Sequence, residues 1–287
     1  MDKKCVLVTG ASSGLGKETA TKLANEGYRV FAGVRKEEDA QKLKELNEEI
    51  IPVFIDVTSD SSVNEAVLTV SKYTGKLFAL VNNAGIAMGG PVEFLPIPML
   101  QKQFDVNVFG AIRVAQKFLP LLESNCTNNQ DARIINISSM ASYGVFPFVS
   151  PYCASKRALD MFFNSLLIEN KIQNLKIISI KPGVVRTPIW DKSVDTCEKC
   201  FENASNDCRQ KYEKELRFLA DNVRKNNEKG LESKDIANLV SRVLLTKKPK
   251  LSYNIGKDSN FAKLLSFLPQ DICNRLVKFG LKHRCKI

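Results

Sequence analysis

The 287-residue sequence contains a single histidine, and this scarcity restricts the chemistry that the chain can perform. Histidine is the side chain whose ordinary pKa lies closest to neutral pH, so it is the commonest proton carrier in catalysis. The one histidine, His283, lies in a basic stretch near the C-terminus. Acid–base catalysis by this chain therefore has to use other side chains.

Long apolar runs are also absent. No segment reaches the roughly 18 apolar residues that a helix needs to cross a bilayer. The apolar run that follows Met1-Asp2-Lys3-Lys4 is too short for the hydrophobic region of a signal peptide. We therefore expect a cytoplasmic protein whose eight cysteines are free thiols.

Three of the cysteines, Cys197, Cys200 and Cys208, lie close together and could form a metal site or a redox pair. No fourth ligand stands at a suitable spacing, and the neighbouring residues are polar. We expect surface thiols and no metal, with a metal or redox site as the alternative.

The formal net charge of +11 raises the question of a nucleic-acid or membrane partner. Most lysines alternate with Glu and Asp along helix-like segments, which is typical of a solvated surface, so we expect no nucleic-acid partner. Residues 263–287 differ, because they carry six basic residues against one aspartate. Apolar residues recur there at mostly helical spacing, interrupted by Pro269. This tail either lies on a membrane surface or packs over the substrate opening, and the second interpretation is favoured.

Short strand-like segments alternate with helix-like segments along the chain. We predict strands at 6–9, 28–33, 51–55, 77–81, 133–138, 176–180 and 251–255, and helices at 14–26, 37–49, 61–73, 97–123, 152–170 and 233–245. This alternation predicts an α/β fold with a Rossmann-like, doubly wound parallel sheet. We expect one domain over residues 1–257, with a helical lid insertion at about 190–230 and a C-terminal extension over 258–287. Ligands of such sheets bind at the carboxyl ends of the strands.

A glycine-rich loop, Thr9-Gly-Ala-Ser-Ser-Gly-Leu-Gly16, follows the first strand and opens the first helix. Glycines in this position let the backbone approach a pyrophosphate at the helix N-terminus. The second predicted strand leads into Arg35 and Lys36 and offers no carboxylate for a ribose hydroxyl. These two cations favour NADP(H) over NAD(H), and solvated surface charges are the alternative.

The pattern Tyr152-x-x-x-Lys156 lies on a predicted helix, with Ser139 thirteen residues before the tyrosine. The spacing of four places the phenol and the ammonium on one helix face, where the ammonium should lower the pKa of the phenol. A second copy, Tyr253 to Lys257, contains Gly256 and has the features of a strand end and turn, so we interpret it as a chance match.

Several motifs of the chain, taken in order, resemble those of the short-chain dehydrogenase/reductase superfamily. They are the glycine loop, Asp56, the segment 82–85, Asn107, Ser139, Tyr152, Lys156 and Pro182-Gly183. The likeness is greatest to the retinol and 17β-hydroxysteroid dehydrogenase branch of the superfamily, and it covers residues 4–187 closely and 231–256 loosely.

The resemblance implies roles for individual residues. Tyr152 would be the general acid and base, Ser139 would bind the substrate oxygen, and Lys156 would hold the cofactor ribose and tune Tyr152. Asn107 would support a proton-relay water, and Thr187 would touch the nicotinamide carboxamide. The full set of implied cofactor-binding residues is Gly10, Ser12, Ser13, Gly14, Leu15, Gly16, Arg35, Lys36, Asp56, Val57, Asn83, Ala84, Gly85, Tyr152, Lys156, Pro182, Gly183, Val185 and Thr187.

The substrate side carries a weaker signal. Three aromatic residues, Tyr143, Phe146 and Phe148, lie between Ser139 and Tyr152, and Trp190 precedes the lid insertion. With Ser139 they would form an apolar pocket for a steroid, retinoid or lipid-like substrate. Packing of the core or of a subunit interface explains these aromatics equally well.

The sequence thus predicts an NADP(H)-dependent oxidoreductase that interconverts a primary or secondary alcohol and its carbonyl on a hydrophobic substrate. A catalytically silent cofactor sensor or scaffold on the same fold is the alternative. A homodimer or homotetramer is expected, as is common in the superfamily. The direction of the reaction and the identity and stereochemistry of the substrate stay open.

Overall fold

The computed structural model describes residues 3–126, 130–202 and 206–285. Seven parallel strands form one sheet in the order β3-β2-β1-β4-β5-β6-β7. The strands are β1 Cys5–Val8, β2 Arg29–Val34, β3 Ile50–Phe54, β4 Ala79–Asn82, β5 Ala132–Ile137, β6 Leu175–Pro182 and β7 Ser252–Ile255. The predicted doubly wound parallel sheet is confirmed, and its strand order reverses between β1 and β4, where such sheets bind ligands.

Eleven helices are found in the described residues. They are α1 Gly14–Asn25, α2 Glu37–Lys44, α3 Asp60–Ser71, α4 Ile97–Phe104, α5 Ala111–Asn125, α6 Ser150–Glu169, α7 Pro188–Glu202, α8 Asn206–Lys229, α9 Ser233–Leu245, α10 Lys257–Leu265 and α11 Gln270–Cys285. Helices α7 and α8 occupy the predicted lid insertion, and α10 and α11 form the C-terminal extension.

Alternate residues of the strands contribute to two apolar layers, one on each face of the sheet. In β1, Val6 and Val8 face the layer that α1, α2 and α9 cover, whereas Cys5 and Leu7 face the layer under α3, α5 and α6. Successive strand side chains point to opposite faces of a sheet, and this sheet is covered on both. Both faces of β1 are therefore apolar.

The long helix predicted over 97–123 is interrupted. A π-helical segment, Asp105–Gly110, separates α4 from α5. Its Asn107 side chain bonds the backbone of Ile86 twice: Oδ1 accepts from the N–H at 2.8 Å, and Nδ2 donates to the carbonyl at 2.9 Å. Apolar periodicity continues through the break, so it gave no sign of this contact between distant residues.

Smaller differences concern the helix ends. Helix α2 stops at Lys44, short of the predicted end at 49. Helix α1 ends at Asn25, one residue before the predicted end at 26. Gly27 follows the cap residue Glu26 with a φ of 86°, in the left-handed region that glycine adopts without strain. At the start of α3, the Ser59 hydroxyl accepts from the N–H of Ser62 at 3.2 Å, so Ser59 is the cap.

The C-terminal helices attach to the rest of the fold at different places. Helix α10 packs against β7 and the 3₁₀ turn Met140–Ser142, and α11 contacts the lid helix α8. Within the part of the chain that the structure describes, no helix combines the length and apolarity required to span a bilayer.

A buried ion pair links β6 to α6. Lys181 Nζ lies 2.7 Å from Asp160 Oδ2, and the two side chains are 11% and 6% exposed. Asp160 also accepts a hydrogen bond from the Ser179 hydroxyl at 3.1 Å. Charges removed from water in this way are tolerated only when paired, so each residue depends on the other.

We expect Lys181→Met to lower the free energy of unfolding by about 3–5 kcal/mol, because it leaves the Asp160 carboxylate buried without its cation. Urea unfolding followed by circular dichroism measures the change. The matched control is Arg217→Met, which removes the exposed Arg217–Glu213 pair and should cost no more than about 1 kcal/mol. Equal effects of the two substitutions would contradict a structural role for the buried pair.

Candidate active site

The glycine-rich loop lies against the end of β4. Gly10 has a φ of 65°, and a Cβ atom there would overlap the backbone of Ala84. A Cβ atom on Gly16 would overlap the carbonyl oxygen of Gly10. Both positions therefore require glycine for the loop to pass so close to its neighbours.

Helix α1 begins directly after this loop. Its N-cap residue, Ser13, makes no side-chain capping bond. The first N–H groups of a helix have no partner within the helix, and together they carry a partial positive charge. The loop and helix start therefore form a cradle that fits the pyrophosphate of a dinucleotide.

Thr9 and Asn83 hold the cradle in place. The Thr9 hydroxyl accepts from the N–H groups of Asn83 and Ala84, both at 3.0 Å. In return, the Asn83 amide donates to the carbonyls of Thr9 and Gly10, at 2.9 and 3.1 Å. Asn83 thus braces the backbone between the ends of β1 and β4.

Two exposed cations, Arg35 and Lys36, follow β2. Nearby, the N–H and the hydroxyl of Thr58 donate to Asp56 Oδ1 at 2.9 and 2.7 Å. These bonds hold the pKa of Asp56 below its usual value, with a smaller contribution from the charge of Arg35. Val57, beside Asp56, is buried. Arg35 and Lys36 therefore give the edge of the cradle next to β2 a positive charge. The ionised carboxylate of Asp56 lies close to them.

The structure brings Ser139, Tyr152 and Lys156 together, and all three are buried. Tyr152 and Lys156 lie one turn apart on α6, with Lys156 Nζ 5.7 Å from the centre of the phenol ring. Ser139 opens the 3₁₀ turn after β5, where its hydroxyl accepts from the Ala141 N–H at 3.1 Å. A hydroxyl, a phenol and an ammonium thus meet at the carboxyl edge of the sheet.

Burial shifts the pKa values of both α6 residues. Desolvation raises the pKa of Tyr152 to about 12, although its hydrogen bond with Ser139 acts in the opposite direction. Desolvation lowers the pKa of Lys156 to about 8, against the charge of Asp160, which raises it. The expectation that Lys156 lowers the pKa of Tyr152 is wrong for the protein alone, because the cost of a buried phenolate dominates.

Asn107 connects the π-helical segment to α6. Its Nδ2 donates to the Ser155 hydroxyl at 3.0 Å, and that hydroxyl donates to the Tyr152 carbonyl at 2.8 Å. A Cβ atom on Gly85 would lie 3.4 Å from Asn107 Oδ1 and 3.7 Å from Lys156 Nζ. Asn107 and Lys156 are therefore neighbours on either side of Gly85.

The sequence did not identify Asp160 as part of the site. It lies one helical turn beyond Lys156, and its carboxylate acts on the Lys156 ammonium. The sequence signal that could have identified Asp160 is an acidic residue four positions after a candidate catalytic lysine on the same helix. The burial of both groups, which gives the pair its importance, required the structure.

The end of β6 closes the other side of the cradle. A Cβ atom on Gly14 would lie 3.4 Å from Thr187 Cγ2, so the segment after Pro182-Gly183 meets the glycine loop. Asp258, a residue that the sequence did not indicate, accepts from the Val184 N–H at 2.7 Å. Val185 pairs with Leu231 in an isolated bridge.

The predicted substrate residues separate into two groups. Trp190 packs edge-on against Tyr152 with ring centres 5.6 Å apart, and Phe146 packs against the same cluster. Phe148, at a φ of 66°, contacts Tyr212 of α8. Tyr143 is directed elsewhere, because its hydroxyl donates to Asn254 Oδ1 at 2.8 Å and Lys181 lies over its ring.

A cavity of about 320 Å³ opens beside Trp190, mainly between α7 and α8. It is bounded by Gly89, Val149, Trp190, Ser193, Val194, Cys197, Glu198, Phe201, Glu202, Glu213, Leu216, Arg217, Ala220 and Val223. Of these residues, Trp190 was predicted from the sequence as a substrate residue, whereas the α8 residues were not. The spacing of residues along a helix does not show which neighbouring element they face.

The second tyrosine motif has no comparable geometry. Tyr253 lies in β7 and Lys257 begins α10, with Gly256 at a φ of 100° between them. The two side chains do not share a helix face. The predicted strand end and turn are present, in agreement with a chance match.

Of the cysteine cluster, Cys197 is partly buried and lines the cavity. The side chains of Cys200 and Cys208 lie outside the described residues. Among the residues described, no three His, Cys, Asp or Glu side chains form a group able to hold a metal.

The chain is similar to known proteins. The short chain dehydrogenase family model matches residues 4–198. The chain is 32% identical over 281 residues to the NADPH-dependent 3-dehydrocapnine reductase of Ornithobacterium rhinotracheale, covering 96% of each chain. It is 35% identical over 228 residues to estradiol 17-beta-dehydrogenase 2 of Mus musculus, covering 74% of this chain and 57% of that protein.

Solved structures agree on the fold. A short-chain dehydrogenase from Streptomyces avermitilis has a TM-score of 0.76 at 22% identity, covering 99% of this chain and 98% of that chain. A short-chain dehydrogenase/reductase from Burkholderia phymatum in complex with NAD has a TM-score of 0.72 at 24% identity, covering 88% and 89%.

The shifted pKa of Tyr152 can be measured by titrating phenolate absorbance. Up to about pH 11, wild type and Tyr152→Phe should show the same increase, because Tyr152 ionises only near pH 12. In denaturant, the wild type should show one more tyrosine ionising near pH ~10 than Tyr152→Phe does. An absorbance step near neutral pH that disappears in Tyr152→Phe would contradict the shift.

Proposed function

Because the chain belongs to the short-chain dehydrogenase family, we propose that it is an NADP(H)-dependent oxidoreductase that interconverts an alcohol and its carbonyl on a hydrophobic substrate. The observation that carries this proposal is the meeting of Ser139, Tyr152 and Lys156 beside the glycine-rich cradle. A cofactor sensor or scaffold would have no use for this buried trio, since burying an ammonium and a phenol costs stability.

In this mechanism the chain's own residues handle the substrate oxygen and its proton. A bound nicotinamide cofactor supplies the hydride for reduction of the carbonyl carbon, or accepts it in oxidation. The Ser139 hydroxyl hydrogen-bonds the substrate oxygen, and Tyr152 gives its phenolic proton to that oxygen as the alcohol forms. In the reverse direction Tyr152 takes the proton back.

The raised pKa of Tyr152 suits it to the reductive direction. A phenol with a pKa of about 12 is protonated at neutral pH and is ready to act as an acid. Lys156, whose Nζ donates to the Ile137 carbonyl at 2.8 Å, then places a cation beside the phenolate that remains. Asn107, bound to Ser155 and next to Lys156, would support the water that returns the proton.

Preference for NADP(H) is supported by Arg35 and Lys36. Both are exposed at the end of β2, where the adenosine ribose lies in folds of this kind. A 2′-phosphate would bind guanidinium and ammonium groups through charge-assisted hydrogen bonds. The name of the Ornithobacterium relative, an NADPH-dependent reductase, agrees with this preference.

A steroid, retinoid or lipid-like substrate is supported by the cavity between α7 and α8. Trp190 and Val149 border both the cavity and the Tyr152 cluster, so an apolar molecule in the cavity would extend to the reacting centre. Ser193, a buried residue that lines the cavity, could bind a polar group of the substrate through its hydroxyl. The similarity to estradiol 17-beta-dehydrogenase 2 points to the same class of substrate.

Tyr152→Phe should lower kcat by at least about 10²-fold while leaving NADPH affinity within a factor of about two, because only the proton donor is removed. NADPH oxidation with a panel of ketosteroids, retinal and medium-chain carbonyls measures turnover, and fluorescence titration measures binding. The matched control is Tyr253→Phe in the second motif, which should retain full activity. Turnover by Tyr152→Phe at the wild-type rate would end the proposal.

Substitution of Arg35 tests the cofactor preference. Arg35→Gln should lower kcat/KM with NADPH by about tenfold or more and leave the value with NADH nearly unchanged, because one phosphate contact is lost. Lys42→Gln on α2 is a control that removes a cation from the same region. A wild-type kcat/KM that is higher with NADH than with NADPH would overturn the preference.

A further inference from the structure

The two C-terminal helices present an apolar stripe to solvent. On α10 and the turn after it, Phe261, Leu264 and Phe267 are 61%, 65% and 75% exposed. On α11, Ile272, Leu276 and Phe279 are 41%, 50% and 72% exposed. Each set has a spacing of three or four residues, so each forms one helix face. We call these six residues the tail stripe.

Side chains outside this stripe account for the packing of the same helices onto the fold. Leu265, Val277 and Leu281 are partly buried, and the fully buried Ser259 donates to the Lys181 carbonyl at 2.7 Å. Packing onto the rest of the fold therefore accounts for these side chains. It leaves the tail stripe uncovered.

Basic residues accompany the stripe. Lys263, Arg275 and Lys278 are exposed and form no ion pair with any described residue. Helices α10 and α11 contain only two acidic residues, and one of them, Asp258, accepts a hydrogen bond from the Val184 N–H. The surface thus combines large apolar side chains with an uncompensated positive charge.

We propose that α10 and α11 bind the surface of an anionic lipid bilayer. The tail stripe would enter the boundary between headgroups and acyl chains, with Lys263, Arg275 and Lys278 at the lipid phosphates and carboxylates. A second copy of the chain fits this surface less well, because two copies meeting through it would bring the same cations together. A lipid surface satisfies both the apolar residues and the charge.

This placement has a consequence for the proposed substrate. Helix α11 contacts α8, and α8 forms one wall of the cavity beside Trp190. Membrane binding would hold the cavity wall next to the bilayer, from which an apolar substrate could enter. This last step rests on the proposed function, whereas binding of the tail to lipid does not.

Flotation of the full chain with vesicles tests the proposal without an enzyme assay. The chain should float with vesicles containing about one third phosphatidylserine in phosphatidylcholine, and much less with phosphatidylcholine alone. Phe261→Gln, Phe267→Gln and Phe279→Gln combined should lower the partition coefficient by about tenfold or more. Arg275→Gln with Lys278→Gln should do the same on the anionic vesicles only, since each cation near the surface contributes about 1 kcal/mol.

The matched control is Leu68→Gln with Ile168→Gln, two residues that are 65% and 84% exposed outside the tail. These changes should leave flotation unaltered, and a melting temperature recorded for every variant verifies that each is folded. Absence of flotation by the wild type, or equal flotation by the tail and control variants, would overturn the proposal. So would tail variants that convert a dimer to a monomer in size-exclusion chromatography without changing flotation, because a second copy would then be the occupant.

Discussion

The burial of the Lys156 ammonium is the constraint on which the rest of the site depends. An ammonium removed from water must be compensated, and here the Ile137 carbonyl accepts its hydrogen bond while Asp160 supplies an opposite charge. Asp160 is itself buried and requires Lys181. One buried cation thus fixes a chain of buried polar groups that joins β5, α6 and β6.

The same burial sets the chemistry of the phenol. Tyr152 lies under Trp190 with almost no exposure, so its ionised form is strongly disfavoured and its pKa rises. In the proposed mechanism, a protonated Tyr152 beside a cation would give a proton away and then be stabilised as phenolate. The stability that the fold loses by burying Tyr152 and Lys156 is typical of sites that shift pKa values for function.

Helix α8 of the lid insertion is held in place by contacts outside the sheet. Tyr212 of α8 donates to Glu93 at 2.7 Å, and its ring contacts Phe94 and Phe148, which ties the lid to loops near Tyr152. Helix α11 lies against α8 on the tail side. The cavity wall formed by α8 is therefore held by loops of the α/β fold at one point and by the C-terminal extension at another.

The sequence by itself determined the parallel sheet, the glycine cradle and the pairing of Tyr152 with Lys156, because apolar periodicity, glycine chemistry and helix spacing act over a few neighbouring residues. Only the tertiary structure decided which distant groups meet. Tertiary contacts interrupt the helix at Asn107, whose side chain bonds the backbone of Ile86. They also direct the Tyr143 hydroxyl to Asn254 and bury Lys181 beside Asp160. The tertiary structure also left one face of α10 and α11 exposed. These outcomes depend on contacts between residues far apart in the chain, which local patterns do not encode.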